Sequence, residues 1–208
     1  MRGEIRIYVE GGGDGKETKA RLRTAFGAFL RELRDRARAR RVRWNIVVCG
    51  GRSSAFDNYR VALRSHPDAL NLLLVDSEAP VTVNSPWQHL KSHSGDNWDN
   101  PGVEDKHCHL MVQATEAWLI ADRETLREYY GREFHEDALP ANPNVEEIDK
   151  RTLFDSLKRA TRHTSKGAYH KTRHAPMLLE RVRPGEVRSR ATFCDRLFKL
   201  VSAEIDGM

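Results

Sequence analysis

Acidic side chains follow two apolar segments of the sequence. Glu10 ends an alternating apolar segment that starts at Ile5, and Asp76 and Glu78 follow the apolar run LNLLLV at 70–75. If both segments are neighbouring strands of an open α/β sheet, their carboxyl ends meet at the edge where such sheets form sites. Carboxylates two residues apart on an extended chain lie on one side of it. A bound cation would relieve the repulsion between these carboxylates. Oxygen ligands of this kind are typical of Mg²⁺ and Mn²⁺ sites.

A fourth acidic residue, Glu116, opens a predicted helix that follows a predicted strand. Asp122 lies six residues further on, a rotation of about 240° around a continuous helix. The two side chains therefore cannot point at one site. We favour Glu116 as a metal ligand and interpret Asp122 as the N-cap of the next helix.

The glycine-rich segment at 10–15 does not match either known phosphate-loop pattern. Glu17 occupies the Ser/Thr position of the P-loop motif, and Lys16 stands at the third glycine of the dinucleotide fingerprint. We interpret these glycines as a place where the backbone approaches a phosphate at a helix N-terminus.

The hydrophobic patterning predicts an α/β fold with a mostly parallel sheet flanked by helices. An apolar face at 22–37 predicts one long helix, with Ser53 or Ser54 capping the next. The segment 79–106 is polar and predicts a long loop with at most one short helix near 87–90. The expected organisation is an α/β core at 1–130 and a basic helical extension at 131–208 packed on it. Helices are expected in the extension at about 147–162, 175–182 and 192–205.

Charge is distributed unevenly along the chain. Residues 1–43 contain 13 basic and 6 acidic side chains, residues 44–149 contain 8 and 18, and residues 150–208 contain 14 and 6. The late basic cluster includes Arg162, Lys166, Lys171 and Arg173, which suit backbone phosphates, with Tyr169 available for base stacking. Lys166 or Lys171 could also stabilise a phosphodiester transition state. A basic surface loop is the alternative, and the Arg-rich helix at 31–43 is either a solvated face or a docking surface.

Several classes of protein are excluded or disfavoured. The sequence has no apolar run of the roughly 18–20 residues that a membrane span needs, and no signal-peptide apolar region. The three cysteines form neither a disulfide framework nor a metal clip. His107 and His109 form an H-x-H pair, which we interpret as structural rather than as a zinc site. We expect a cytoplasmic protein that does not associate with membranes.

The motifs EGGGD at 10–14 and LLLVDSE at 72–78 resemble the Toprim fold of topoisomerases, primases and OLD-family nucleases. The segments TEAWLIAD at 115–122 and YHKTRHAPMLLE at 169–180 are similar to an uncharacterised bacterial Toprim-related family whose members often accompany AAA-type ATPases. The resemblance implies an acid/base or metal role for Glu10, a metal role for Asp14, and the paired-acid role for Asp76 and Glu78. Glu78 stands where the Toprim pattern has a second Asp.

These observations favour a divalent-metal-dependent nuclease, or a related phosphoryl-transfer enzyme, that acts on DNA or RNA. Glu10 and Lys171 are the candidate catalytic residues, and two metal ions would activate water and stabilise the leaving oxygen. One alternative is a non-catalytic module that docks on an ATPase through the Arg-rich helix and the late helices. Another is a hydrolase of small phosphoesters that uses the same carboxylates.

Overall fold

A computed structural model describes residues 3–208 of the chain. Within that range the protein forms one parallel sheet of four strands: β1 (Glu4–Glu10), β2 (Arg43–Gly50), β3 (Leu70–Asp76) and β4 (Cys108–Met111). Ten α-helices accompany the sheet in the same range: α1 (Lys16–Phe29), α2 (Arg31–Ala39), α3 (Arg52–Ser65), α4 (Pro86–Ser92), α5 (Thr115–Ala121), α6 (Arg123–Tyr130), α7 (Lys150–Thr161), α8 (Lys171–Leu179), α9 (Pro184–Arg190) and α10 (Thr192–Asp206). The α/β fold class is therefore confirmed, and the arrangement is Rossmann-like.

The strand order β2-β1-β3-β4 places the two acidic strand ends side by side. β1 and β3 pair in parallel, with Ile5 opposite Leu70 and Val9 opposite Leu74. Because both strands run in the same direction, Glu10 and Asp76 emerge at the same edge of the sheet.

Both faces of the sheet are covered, which explains the continuous apolar run of β3. Ile7 and Leu72 pack with α1, α2 and the late helices, whereas Tyr8 and Leu73 pack with α3 and α4. Every residue of β3 is buried. Such burial on both faces is the usual environment of a central parallel strand.

The late helices share the core of the sheet. α8 packs against α1, and α10 packs against α2 and β4. Phe198 of α10 meets Phe29 of α1 edge to face at 5.7 Å, and Arg36 of α2 forms an ion pair with Asp206 at 2.9 Å. At least one arginine of the Arg-rich helix therefore binds another helix of the same chain. No helix within residues 3–208 is both long and apolar enough to cross a membrane.

Four details of the predicted elements were wrong. The helix predicted over 22–37 is two helices, because the backbone leaves the helical range at Leu30 (ψ 19°) while its side chain stays buried. The cap of α3 is Gly51 rather than Ser53 or Ser54, because the helix already starts at Arg52. α8 starts four residues before the predicted position, and α9 was not predicted.

Candidate metal centre

Three of the predicted metal ligands come together at the carboxyl edge of the sheet. Glu10, Asp76 and Glu78 each place one carboxylate oxygen within 4.8 Å of the others. Glu10 is the last residue of β1 and Asp76 the last of β3, and the side chains of the two retain only 16% and 3% of their exposure. A compact group of hard oxygen donors is the chemistry that Mg²⁺ and Mn²⁺ prefer.

Glu78 reaches the cluster by a different route from the one predicted. The strand ends at Asp76, and Glu78 adopts a left-handed conformation with φ at +64°. Its backbone N–H donates to the carbonyl of Gln113 at 2.9 Å. The expected extended geometry over 76–78 was therefore wrong, because a turn rather than strand alternation directs the second carboxylate. A non-glycine residue in this region is strained, a cost that recurs at functional sites.

Asp76 is held by the N-terminus of α5 and by a lysine. Its Oδ1 accepts hydrogen bonds from the Thr115 backbone N–H at 2.8 Å and from the Thr115 hydroxyl at 3.0 Å. Its Oδ2 lies 3.2 Å from Nζ of Lys171. Both oxygens are oriented by fixed donors, so the position of this carboxylate is defined without a ligand.

Glu10 is tied to Arg52, a residue that the sequence reasoning missed. Oε2 of Glu10 accepts from Nη1 of Arg52 at 2.9 Å and from the Asp76 N–H at 3.2 Å. Burial and the nearby Asp76 carboxylate raise the pKa of Glu10 to about 7, against the opposing effect of Arg52.

Arg52 also anchors the polar segment that follows β3. Its Nε and Nη2 each lie 2.6 Å from an oxygen of Asp96, and its guanidinium packs over the Trp98 ring at 5.0 Å. Nη1 donates in addition to the backbone carbonyl of Asp76. The two glycines before Arg52, at the end of the apolar run of β2, were the available signal for this residue.

Glu78 has its own cationic partner, Lys150, at the start of α7. Lys150 was also missed by the sequence reasoning, since it is far from Glu78 in the chain. Its backbone N–H donates to the Gln113 side chain at 3.2 Å, which fixes the helix start near Glu78. Each carboxylate of the cluster therefore has one basic partner: Arg52, Lys171 or Lys150.

Lys171 and Glu116, both predicted as site residues, meet beside Asp76. Nζ of Lys171 lies 3.9 Å from Oε2 of the fully buried Glu116, whose Oε1 accepts from the Tyr169 hydroxyl at 2.7 Å. Burial opposes the charge on Lys171, but Asp76 and Glu116 outweigh it and raise its pKa above the usual value. Glu116 thus contacts the lysine rather than joining the three clustered carboxylates. Tyr169 is buried and bonded to Glu116, so the stacking role expected for it was wrong.

The remaining predicted residues lie outside the cluster. Asp14 is exposed on the glycine-rich loop and is not among the clustered carboxylates of residues 3–208. Arg162 and Arg173 are exposed, and Lys166 packs over the Tyr129 ring at 5.0 Å. The structure does not bring these residues to the carboxylates in the way that it brings Lys171.

Asp122 and His109 have structural roles outside the cluster. Asp122 caps α6 by accepting from the Thr125 N–H at 3.3 Å, as its position predicted. His109 is buried in β4, and its burial lowers its pKa to about 3.

The fold and the site define an α/β protein with a parallel Rossmann-like sheet and a carboxylate cluster at its carboxyl edge. The family model described as "Domain of unknown function (DUF4276)" matches residues 9–201, which is nearly the whole chain. The chain therefore belongs to the DUF4276 family. No curated protein and no solved structure matches it significantly.

Proposed function

We propose that the protein is a divalent-metal-dependent nuclease, or a related phosphoryl-transfer enzyme, that acts on nucleic acid. The observation that carries the proposal is the convergence of Glu10, Asp76 and Glu78, whose carboxylate oxygens lie within 4.8 Å of one another. Carboxylates this close repel one another, and a bound cation would offset that repulsion. The resemblance to Toprim and OLD-family proteins points to the same chemistry.

The donor set fits Mg²⁺ or Mn²⁺. Three carboxylates offer hard oxygen ligands. Within residues 3–208, both hydrogen bonds described to the Glu10 carboxylate use Oε2, which leaves Oε1 for a cation. A bound Mg²⁺ polarises a phosphate oxygen and lowers the pKa of a bound water. Glu10, Asp76 and Glu78 would hold the ion, with waters completing the coordination.

The basic residues around the cluster have roles of their own. Lys171 keeps 44% of its side-chain exposure while its ammonium touches Asp76, so the residue lies where the cluster meets the solvent. A cation in that position attracts a phosphate and stabilises charge that develops on it. Arg52 is enclosed by Glu10 and Asp96 and acts instead to position Glu10.

Cleavage assays test the proposal. The protein is incubated with plasmid, single-stranded DNA and RNA in Mg²⁺ or Mn²⁺, beside the Glu10→Gln variant and the control variant Asp99→Asn. Asp99 carries the same charge on an exposed site (84% side-chain exposure). We expect cleavage by the wild type and by the control, and none by Glu10→Gln. Cleavage that is absent, or equal in all three proteins, would contradict the proposal.

A second candidate function is a non-catalytic module that docks on an AAA-type ATPase. One observation favours it: Arg52, Lys150 and Lys171 already neutralise the three carboxylates without a metal. Calorimetry with Mn²⁺ separates the candidates. Affinity no better than millimolar, together with a stable complex with such an ATPase, would favour the module. Hydrolysis of a mononucleotide but not of a polymer would instead favour a small-phosphoester hydrolase.

A further inference from the structure

A cavity of about 280 Å³ lies directly beside the carboxylate cluster. Glu10, Asp76 and Lys171 form its polar end, and the glycine-rich loop at 11–13 forms one side. The cavity extends from the cluster into the space between α1 and α8. A ligand that fills it therefore contacts the proposed metal centre at one end only.

The other end of the cavity is apolar. Leu22 and Phe26 of α1 line it, together with Ala175 and Pro176 of α8. The core holds these side chains in place, and because Phe26 is only 1% exposed, each presents a small part of its surface to the cavity. Pockets that bury drug-sized ligands have volumes of roughly 300–1,000 Å³. This cavity is slightly smaller, so it has room for one small chemical unit.

The loop brings backbone, rather than side chains, close to the apolar wall. Gly11 has φ at +125°, and a Cβ there would lie 2.7 Å from Cδ2 of Leu22. Its N–H donates to the Gly50 carbonyl at 2.7 Å, which fixes the loop against the end of β2. A larger residue at this position would displace Leu22 from the cavity wall.

We infer that the cavity takes one unpaired nucleobase of the substrate, with the attached phosphate beside Glu10, Asp76 and Lys171. The inference rests on the proposed function and narrows its substrate to strands with unpaired bases. A base has flat apolar faces, which suit the apolar lining at the far end of the cavity. A base pair does not enter a space enclosed by α1 on one side and α8 on the other, so a duplex must first release the nucleotide.

Binding of small probes tests the cavity independently of catalysis. Calorimetry in Mg²⁺ compares adenosine 5′-monophosphate with ribose 5-phosphate, which lacks the base. We expect the nucleotide to bind at least about tenfold more tightly, the scale typical of base stacking on apolar side chains. Equal affinity for the two probes would overturn the inference.

Two variants test whether the preference for a ligand with a base depends on the cavity. Ala175→Leu fills the apolar end, and Ala203→Leu makes the same change at an exposed position of α10. We expect the base preference to disappear in Ala175→Leu and to persist in Ala203→Leu. If Ala175→Leu does not fold, Thr172→Leu at the exposed rim narrows the same cavity and is expected to reduce the preference severalfold. A preference that survives in the folded cavity variant contradicts the inference.

A cleavage comparison separates this inference from the proposed function. An oligonucleotide is presented single-stranded and annealed to its complement, and we expect the single strand to be cut at least about tenfold faster. Glu10-dependent cleavage at equal rates on both forms would overturn the cavity inference and leave the nuclease proposal standing. A base preference in binding without any cleavage would support the cavity and contradict the nuclease.

Discussion

Asp122, which is buried, and Glu10, which is half-buried, both lie at the end of a secondary-structure element, yet their surroundings differ. Asp122 receives five hydrogen bonds, from the backbone and side chains of Thr125 and Arg183, at 2.7–3.3 Å. Burial opposes its ionisation, but these bonds outweigh that effect and lower the pKa of Asp122 to about 2. Glu10 lies beside other carboxylates, and its pKa is raised to about 7.

The difference shows what each carboxylate contributes. A buried acid with a full set of donors stabilises the fold, since its charged form is better bound in the folded chain than in water. A buried acid beside like charges has the opposite effect, and clusters of this kind are characteristic of functional sites. Asp122 therefore holds α6 and Arg183 together, whereas Glu10 belongs to the carboxylate cluster for which we propose a metal ion.

The largest effect that separates the two acids is on activity. Glu10→Gln removes a ligand charge from the cluster, so we expect metal-dependent cleavage to fall at least about 100-fold. Asp122→Asn leaves the cluster intact and should retain a rate within about threefold of wild type at a temperature where it is folded. Initial rates on one labelled substrate measure both. Similar losses in the two variants would remove the distinction.

The free energy of unfolding should separate the two acids in the opposite direction, with the larger loss in the Asp122 variant. Asp122→Asn removes the ionic partner of Arg183, so we expect the free energy of unfolding at pH 7 to fall by about 1–2 kcal/mol, a figure reduced because Arg183 is half exposed. Denaturant unfolding monitored by circular dichroism measures this change. An unchanged midpoint would mean that Asp122 has no structural role beyond its shape.

The stability difference should also depend on pH. The pKa of Asp122 is lower in the folded chain than its usual 3.8, so its contribution is present above about pH 4 and is lost as the pH falls towards 2. We expect the gap between wild type and Asp122→Asn to shrink as the pH is lowered from 5 to 3. A gap that stays constant over that range would argue against the ion pair as its cause.

The smallest expected effect is a change in stability that comes from the backbone conformation of Glu78. Glu78 has φ at +64°, so Glu78→Gly relieves strain that Glu78→Ala retains. Both variants lose the carboxylate, and we expect the glycine variant to be the more stable by about 1 kcal/mol. Paired denaturant titrations measure the difference. A more stable alanine variant would show that the left-handed conformation costs nothing here.

The sequence allowed the sheet to be predicted because its strands have simple patterns of apolar residues. The alternating segment of β1 and the continuous apolar run of β3 each indicated the correct element, and parallel pairing then brought Glu10 and Asp76 together. The break between α1 and α2 could not be predicted, because the apolar periodicity continues through Leu30. Periodicity reports which face is buried, not where a helix axis turns.

The basic partners of the cluster were harder to predict than its acids. Lys150 is 72 residues from Glu78, and Arg52 is 42 residues from Glu10. No local spacing relates such residues, since tertiary packing alone brings them into contact. The left-handed turn at Glu78 could not be predicted from the sequence either, because glutamate has no preference for that conformation. The resemblance to Toprim proteins and the metal requirement stay predictions.

Metal binding to the purified protein tests the central claim most directly. Isothermal titration calorimetry with Mn²⁺ compares wild type, Asp76→Asn and the exposed control Asp99→Asn. Our account predicts saturable binding with Kd below 1 mM for wild type and control, a threshold of about −4 kcal/mol, and at least tenfold weaker binding for Asp76→Asn. Binding that is absent from the folded wild type, or equal in all three proteins, would contradict a metal site formed by Glu10, Asp76 and Glu78.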